Sequence, residues 1–288
     1  PLQISNRLAL FPDATRIQND ALFIAGHALA ALAEKYGTPL YVYDRATLEA
    51  SVKAYTEALS AYYPAPARIT YAGKAFLCKA IAEWTQAHDL FVDCTGEGEI
   101  AIAIAGGVPH HNILVHGVNK SISDLQAAIQ HAGTIVIDNL TELKRLKELL
   151  STPHSLLPNL WLRLLPGVAV HTHHAHTQTG QQDSKFGMTQ DEIHKAVAFC
   201  KLHNLPIKGI HFHQGSNFRD PEPLIPAIDM ALDLAKEIGF RGEWHFCPGG
   251  GWGVAYHEDE LPNPSMESYV RGIAESVLEG CRARGLDL

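Results

Sequence analysis

The chain has 288 residues, of which 46% are hydrophobic and 19% charged, and its 31 acidic residues outnumber its 23 basic ones to give a formal net charge of −8. This composition is typical of a globular protein with a sizeable core, and it excludes a disordered tail, a collagen-like repeat and a small disulfide scaffold. The acidic balance argues against a nucleic-acid partner, because phosphate backbones are bound by basic surfaces. No apolar run reaches the roughly 18 residues that a membrane-spanning helix needs, so no membrane partner is expected.

The N-terminus and the cysteines indicate a reducing compartment. The first 20 residues lack the charged start and apolar middle of a signal peptide. The five cysteines are odd in number, widely scattered and without a C-x-x-C pair, which favours reduced thiols over a disulfide framework. We therefore expect a cytoplasmic protein. The cysteines are Cys78, Cys94, Cys200, Cys247 and Cys281.

The start of the chain differs from the rest. A short strand-like piece at 23–26 precedes a helical pattern at 27–36, and residues 38–43 lead into a second helix at 45–62. We predict an N-terminal segment, residues 1–36, followed by a barrel domain, residues 37–288.

From residue 68 onwards, short apolar runs alternate with helical patterns. Each run is nearly continuous and ends in glycine, asparagine or proline, which is typical of buried parallel strands joined by helices. The runs are 68–72, 90–94, 112–116, 134–138, 160–164, 207–213 and 244–247. The helical patterns are 79–88, 97–105, 123–131, 140–150, 191–203, 223–238 and 266–284.

Seven β/α units in series predict an α/β fold, either a (β/α)8 barrel of the TIM type or a large doubly wound sheet. No G-x-G-x-x-G turn follows the first run, which disfavours a dinucleotide-binding fold. A closed barrel needs an eighth strand, and residues 285–288 look like the approach to one. We expect an open sheet or a chain that is part of a longer protein.

Lys74 ends the first run, in the segment YAGKA. Barrel enzymes carry their reactive groups at the carboxyl ends of the strands. Partial desolvation of the amine there would make it a better nucleophile, which suits Schiff-base formation with an aldehyde. Taken alone, a surface lysine that opens a loop is the commoner explanation.

The segment CPGGGWG ends the seventh run and contains Gly249, Gly250 and Gly251. Consecutive glycines let backbone N–H groups approach an anion closely. The segment lacks the G-K-[ST] ending of a P-loop, so a phosphate monoester is favoured over a nucleoside triphosphate. A plain turn is an equally good explanation.

The segment IHFHQGS ends the sixth run, and strand alternation predicts His211 and His213 on one face. An imidazole there suits stacking on a cofactor ring, and the Ser216 hydroxyl is a donor for a phosphate. The alternative is a core histidine with a Gly-Ser turn.

Two charged positions lie in or directly after buried runs. Asp93 follows the second run, and Arg163 lies within the fifth, where an unpaired charge is costly. We expect Arg163 to meet an anion: an aspartate, a phosphate or a phenolate oxygen. Near Asp93, Thr95 is expected to cap a helix, with Glu97 or Glu99 in its first turn.

A histidine cluster lies between the fifth run and the next helix. Zinc sites need a defined tetrahedral ligand set with supporting partners, and no cysteine or H-E-x-x-H pattern is nearby. We expect no metal site here, only a solvated loop. The residues are His171, His173, His174 and His176.

Eight segments in this order resemble the fold-type III pyridoxal-phosphate decarboxylases, and most closely their diaminopimelate decarboxylase branch. The resemblance covers about residues 38–256, and TQTG with SKFG discriminates best from the ornithine and arginine branches. The segments are YAGKA, VDCTGEGE, ILVHGVNKS, IVIDN, LRLLPG, HTHHAHTQTGQQDSKFG, IHFHQGS and CPGGGWG.

The resemblance implies a role for each matched residue. Lys74 would hold pyridoxal phosphate covalently and His213 would stack on its ring. Ser216 and the glycines at 249–251 would bind the phosphate, and Asp93 and Arg163 would lie near the cofactor. A C-terminal β domain would pack with residues 1–36, and the full-length enzyme would be a homodimer.

The family's later motifs, Glu-Pro-Gly-Arg on the eighth strand and a Cys-Glu-Ser phrase, are not in this sequence. The resemblance implies decarboxylation of the amino acid diaminopimelate to lysine. Alternatives are decarboxylation of ornithine, arginine or carboxynorspermidine, an amino-acid racemase on a similar barrel, and a silent cofactor-binding homologue.

Overall fold

The computed structural model describes residues 7–150, 157–167, 184–240 and 242–287. Its first part is a three-stranded antiparallel sheet followed by two helices. These elements are β1 (Thr15–Gln18), β2 (Ala21–Ile24), β3 (His27–Ala28), α1 (Leu29–Tyr36) and α2 (Arg45–Tyr62). Both helices were predicted, but β1 was missed, and residues 27 and 28, which were predicted to be helical, form β3. Asn19 and Asp20 make the turn between β1 and β2 with positive φ, a conformation that these two residue types tolerate and that is typical of two-residue hairpins.

The remaining strands form one parallel sheet of seven. Its order is β10-β9-β8-β7-β6-β5-β4, so each strand pairs with its neighbours in the chain. All seven predicted runs are confirmed, although each is shorter than predicted or shifted at an end, and the sixth ends at 211. The strands are β4 (Thr70–Ala72), β5 (Phe91–Cys94), β6 (Ile113–Val115), β7 (Thr134–Ile137), β8 (Asn159–Arg163), β9 (Ile207–His211) and β10 (His245–Cys247).

Each of the seven strands is followed by a helix, as predicted. Capping residues explain several boundaries: Ser121 and Thr189 form capping boxes at two N-termini, and Gly239 and Gly285 end two helices in the left-handed conformation. The helices are α3 (Lys79–Ala87), α4 (Glu97–Ala105), α5 (Ile122–His131), α6 (Leu140–Leu149), α7 (Gln190–His203), α8 (Ile225–Ile238) and α9 (Met266–Arg284).

The sheet curls so that its two ends approach each other. Helix α2 precedes β4, the first strand of the parallel sheet, and α9 follows β10, its last strand. These two helices pack against each other. The sequential strand order has no switch point, which rules out a doubly wound sheet. The fold is a TIM-type barrel that is open between β10 and β4. No further strand follows α9 among the described residues, which end at 287.

The sheet separates two layers of apolar side chains. In β8, Leu160 and Leu162 belong to the large core beneath the helices, whereas Trp161 belongs to a small cluster on the other face. The period of two along a strand produces this alternation, and burial of both faces explains why the runs are continuously apolar. Among the described residues, no helix is long and apolar enough to cross a bilayer.

Candidate active site

The polar residues singled out in the sequence gather at the carboxyl ends of the parallel strands. The register pairs Ala72 with Asp93, Arg163 with His211, and His211 with Cys247. The residues just before Asp93, Arg163 and His211 lie in the core beneath the helices. Alternation therefore turns these three side chains to the inside of the barrel.

Lys74 lies in a short 3-10 turn, Gly73–Ala75, directly after β4. The turn rests closely on β5, since a Cβ on Gly73 would come within 2.6 Å of the Asp93 carbonyl oxygen. The lysine side chain is exposed, so the partial desolvation expected from the sequence is not seen among the described residues. Its amine is accessible to a ligand at this edge of the sheet.

Asp93 is a largely buried carboxyl group with charged neighbours. Burial raises the pKa of Asp93 to about 7, with Lys74 opposing the shift and Glu99 adding to it. Within the described ranges, Oδ1 of Asp93 accepts no hydrogen bond, and Nε2 of His116, a ring whose pKa burial lowers, is 3.7 Å away. A buried acceptor without a donor indicates a place where a ligand or a proton is bound.

Arg163 meets an anion, as the sequence predicted, and the anion is Asp138. Nη1 of Arg163 donates to Oδ1 of Asp138 over 3.2 Å, and the guanidinium lies 4.6 Å from the ring centre of Phe186. Burial lowers the pKa of Arg163, and Asp138 opposes that shift. The pair holds a cation inside the barrel, close enough to Asp93 to oppose part of the rise that burial causes in the pKa of its carboxyl group.

His213 follows the end of β9 and contacts the glycine segment. Its Nδ1 accepts a hydrogen bond from the Gly250 backbone N–H over 3.4 Å. Burial, followed by the charges of Lys74 and Arg163, lowers the pKa of His213 to about 4. The imidazole is therefore neutral near pH 7, in the state that can accept this bond. The neighbouring His211 ring stands edge-on to His116, with centroids 4.5 Å apart.

The glycines pack their backbone directly against the loop that carries Ser216. A Cβ on Gly251 would lie 2.1 Å from the Gly215 carbonyl oxygen and 3.2 Å from the Ser216 Cα. Phe218 N–H donates to the Gly251 carbonyl over 2.9 Å, which ties the two loops together. Gly249 and Gly251 have positive φ, whereas Gly250 is open to its surroundings. The arrangement is a cradle lined by backbone, of the kind that suits an anion.

Several site residues were missed by the sequence analysis. His116, Lys120 and Asp138 lie in segments that carried the resemblance, ILVHGVNKS and IVIDN, but no role was assigned to them. His116 and Asp138 each follow a buried strand directly, which was a usable signal, whereas Lys120 lies further along its loop and carried none. The expected Thr95 cap is wrong: the helix N-cap is Gly96, and Thr95 instead donates to the Glu99 carboxylate.

The histidine cluster at 171–176 lies outside the described residues. Among the residues that the structure describes, no group of three or more histidines, cysteines or acids is placed to hold a metal ion.

Comparison with known protein families shows which family the chain belongs to. Residues 45–287 match the model of the pyridoxal binding domain of pyridoxal-dependent decarboxylases. The chain belongs to the pyridoxal-dependent decarboxylase family. The predicted family and the predicted cofactor, pyridoxal phosphate, are thereby confirmed. The residues present fit that cofactor: an accessible lysine amine for its aldehyde, a backbone cradle for its phosphate, and a carboxyl group with one buried oxygen that accepts no hydrogen bond among the described residues.

Individual members of this family are similar to the chain. It is 36% identical to diaminopimelate decarboxylase of Bacillus subtilis, over 94% of the chain and 62% of that protein. It is 34% identical to the enzyme of Corynebacterium efficiens, over 87% of the chain and 55% of that protein. The crystal structure of diaminopimelate decarboxylase from Helicobacter pylori complexed with L-lysine superposes with a TM-score of 0.76 at 26% identity, covering 87% of the chain and 63% of that structure. The chain thus spans about 60% of the length of these decarboxylases.

Proposed function

We propose that this chain is the cofactor-binding part of an enzyme that decarboxylates diaminopimelate to lysine. The observation that carries the proposal is the gathering of Lys74, Asp93, Arg163, His213 and the glycine cradle at one end of the barrel. Support for the substrate comes from the relatives, which are diaminopimelate decarboxylases at 31–36% identity. Three solved neighbours were complexed with L-lysine.

The matched residues are assigned complementary roles. Lys74 would hold pyridoxal phosphate covalently, through its amine and the cofactor's aldehyde carbon. His213, neutral near pH 7, offers an uncharged ring face for stacking. Ser216 and the backbone of Gly249, Gly250 and Gly251 bind the phosphate. When bound, the cofactor accepts the electron pair released as carbon dioxide leaves the substrate.

Asp93 and Arg163 set the charge inside the barrel. With a pKa of about 7, Asp93 gains or loses a proton close to neutral pH, which suits a group that exchanges protons with Lys74. Arg163 supplies a fixed cation where an anionic group of cofactor or substrate would enter. The side chains of Asp93 and Arg163 are 21% and 10% exposed, so the barrel shields them from most of the solvent.

The decisive experiment is covalent trapping. The chain is incubated with pyridoxal phosphate, reduced with borohydride and weighed intact. We expect one added pyridoxyl group, which is lost in Lys74→Ala and kept in Lys79→Ala, a matched exposed lysine in the following helix. An adduct that persists in Lys74→Ala would overturn the assignment of the nucleophile.

The substrate is tested separately, with the longer natural protein if the chain proves to be part of one. Carbon dioxide release from diaminopimelate is compared with release from ornithine, arginine and carboxynorspermidine. Faster release from any of the other three contradicts the proposed substrate while leaving the cofactor assignment intact. No release from any of them favours a silent homologue.

Assembly and location follow from the same proposal. We expect a homodimer in the full-length enzyme, and sedimentation velocity measures that state. A cytoplasmic location and a division of the chain at residues 36 and 37 remain predictions.

A further inference from the structure

A connected series of four buried charges, two basic groups at its ends and two acidic groups between them, lies beneath the site. Lys120, Glu142, Asp138 and Arg163 are each no more than 8% exposed, and their formal charges sum to zero. They come from the loop after β6, the first turn of α6, the end of β7 and the end of β8. Such residues are almost never buried unless they are paired.

Lys120 is the most deeply buried end of this series of charges. Its side chain is inaccessible to solvent, and Nζ lies 3.0 Å from Oε1 of Glu142. The same nitrogen donates to the carbonyl oxygens of Gly117 over 2.8 Å and Val136 over 2.9 Å. Three acceptors satisfy all three donors of the ammonium group, so Lys120 is fixed in position and cannot itself reach a ligand.

Asp138 connects this pair to the site. Its backbone N–H donates to the same Oε1 of Glu142 over 3.3 Å. Its Oδ1 accepts from Nη1 of Arg163 and from the backbone N–H of Gly187, both over 3.2 Å. With Phe186 against the guanidinium, Arg163 is held from two sides.

Stability alone does not account for this arrangement. Desolvation of buried ions offsets much of their attraction, and apolar replacements of whole buried pairs are often neutral or stabilising. A guanidinium has five N–H donors, and within the described ranges Arg163 uses one of them. The remaining donors are what a fixed arginine at the carboxyl end of a barrel offers to an anion.

We propose that Lys120, Glu142 and Asp138 are positioning residues, which hold the Arg163 guanidinium ready for an anionic group of the ligand. The identity of that ligand, pyridoxal phosphate, rests on the proposed function. The positioning itself is a property of the ligand-free chain and is measured without the cofactor.

The first test observes Arg163 directly. The Nε–Hε signal of Arg163 is followed by NMR on arginine-labelled chain and assigned with Arg163→Lys. We expect slow solvent exchange in the wild type and at least tenfold faster exchange in Asp138→Asn and in the apolar pair Lys120→Met/Glu142→Leu, which leaves no unpaired charge. Lys144→Met, an exposed lysine of α6, keeps the wild-type rate. Unchanged exchange in both folded variants overturns the proposal.

The second test measures coupling to the ligand. The dissociation constant of pyridoxal phosphate is determined for Arg163→Met in the wild-type background and in the apolar-pair background. We expect about a tenfold loss of affinity in the first and less than a threefold further loss in the second, because the arginine is no longer positioned there. Equal losses would show that the buried pair is merely structural.

The two proposals fail in different ways. Absence of a borohydride-trapped adduct on wild-type chain contradicts the assignment of the ligand, whereas the exchange of the Arg163 Hε still decides whether the buried charges position it.

Discussion

The backbone N–H of Gly250 donates to Nδ1 of His213 over 3.4 Å, and this bond joins the ring proposed to face the cofactor to the loop proposed to bind its phosphate. The contact depends on the residue before it. A Cβ on Gly249 would lie 2.8 Å from the same nitrogen and 2.6 Å from the Phe212 carbonyl oxygen. The glycine sequence is therefore needed for the geometry of the histidine as well as for an anion.

The glycine loop gives the first prediction. Gly249→Ala is expected to lower the free energy of unfolding by about 1–3 kcal/mol, because its φ of +76° is strained for alanine and its Cβ meets backbone. Gly250→Ala, which meets nothing within 4 Å, is the control and is expected to change stability by less than about 0.5 kcal/mol. Urea unfolding of both variants checks this, and equal losses would contradict it.

The second prediction concerns Asp93 and pH. Burial raises the pKa of Asp93 to about 7, against about 3.9 in an unfolded chain. Between these values the folded state keeps a proton that the unfolded state has released, so this contribution to stability is lost as pH rises from about 4 to 7. As pH rises over that range, the free energy of unfolding of the wild type should decrease by about 1 kcal/mol per pH unit relative to that of Asp93→Asn.

Unfolding by urea at pH 5, 6 and 7 measures this difference. Subtracting the Asn variant at each pH removes the contributions of all other titrating groups. A difference that stays constant with pH would mean that the Asp93 carboxyl is ionised and solvated in the folded state.

His213 gives the third prediction, in which stability changes with pH in the opposite direction. Burial lowers the pKa of His213 to about 4, against about 6.5 when unfolded. The unfolded state then binds the extra proton first, so the contribution of His213 is present above about pH 6.5 and is lost as pH falls towards 4. As pH falls over that range, the free energy of unfolding of the wild type should decrease by about 1 kcal/mol per pH unit relative to that of His213→Asn.

Imidazole NMR signals provide the direct measurement. The His213 ring should remain neutral at pH 5.5, with its titration midpoint well below 6. A midpoint near 6.5 would show that the ring is solvated, and the Gly250 bond to Nδ1 would then be lost in ordinary acidic buffers.

The strand and helix series was predictable because each element depends on local pattern. Continuous apolar runs with glycine or asparagine behind them led to all seven barrel strands, since burial on both faces leaves that signature. Strand β1 was missed because Thr15–Gln18 is mostly exposed and carries no apolar alternation. In the sequence, only the Asn19-Asp20 pair indicated a hairpin here, and the prediction of strands did not take it into account.

The site was predictable to the extent that its residues stood at strand ends. Lys74 and the glycines were singled out in this way, whereas Arg163 was singled out because an unpaired charge within an apolar run is costly. Which anion it meets could not be derived, because Asp138 is 25 residues away and only the register of β7 and β8 brings them together. Lys120 looked like any loop lysine, and its burial is a tertiary effect.

Tyr269 of α9 gives the last prediction, because it links the helix layer to the glycine loop. Its ring stacks on Trp252 with centroids 4.5 Å apart, and its hydroxyl is buried with no hydrogen-bond partner among the described residues. Tyr269→Phe removes a polar group that is desolvated without compensation, so it should be at least as stable as the wild type, by up to about 1 kcal/mol. Tyr269→Ala removes the ring itself and should lose about 3 kcal/mol or more. Thermal and urea unfolding of the two variants separates the ring from the hydroxyl, and a destabilised Tyr269→Phe would reveal a partner for that hydroxyl in solution.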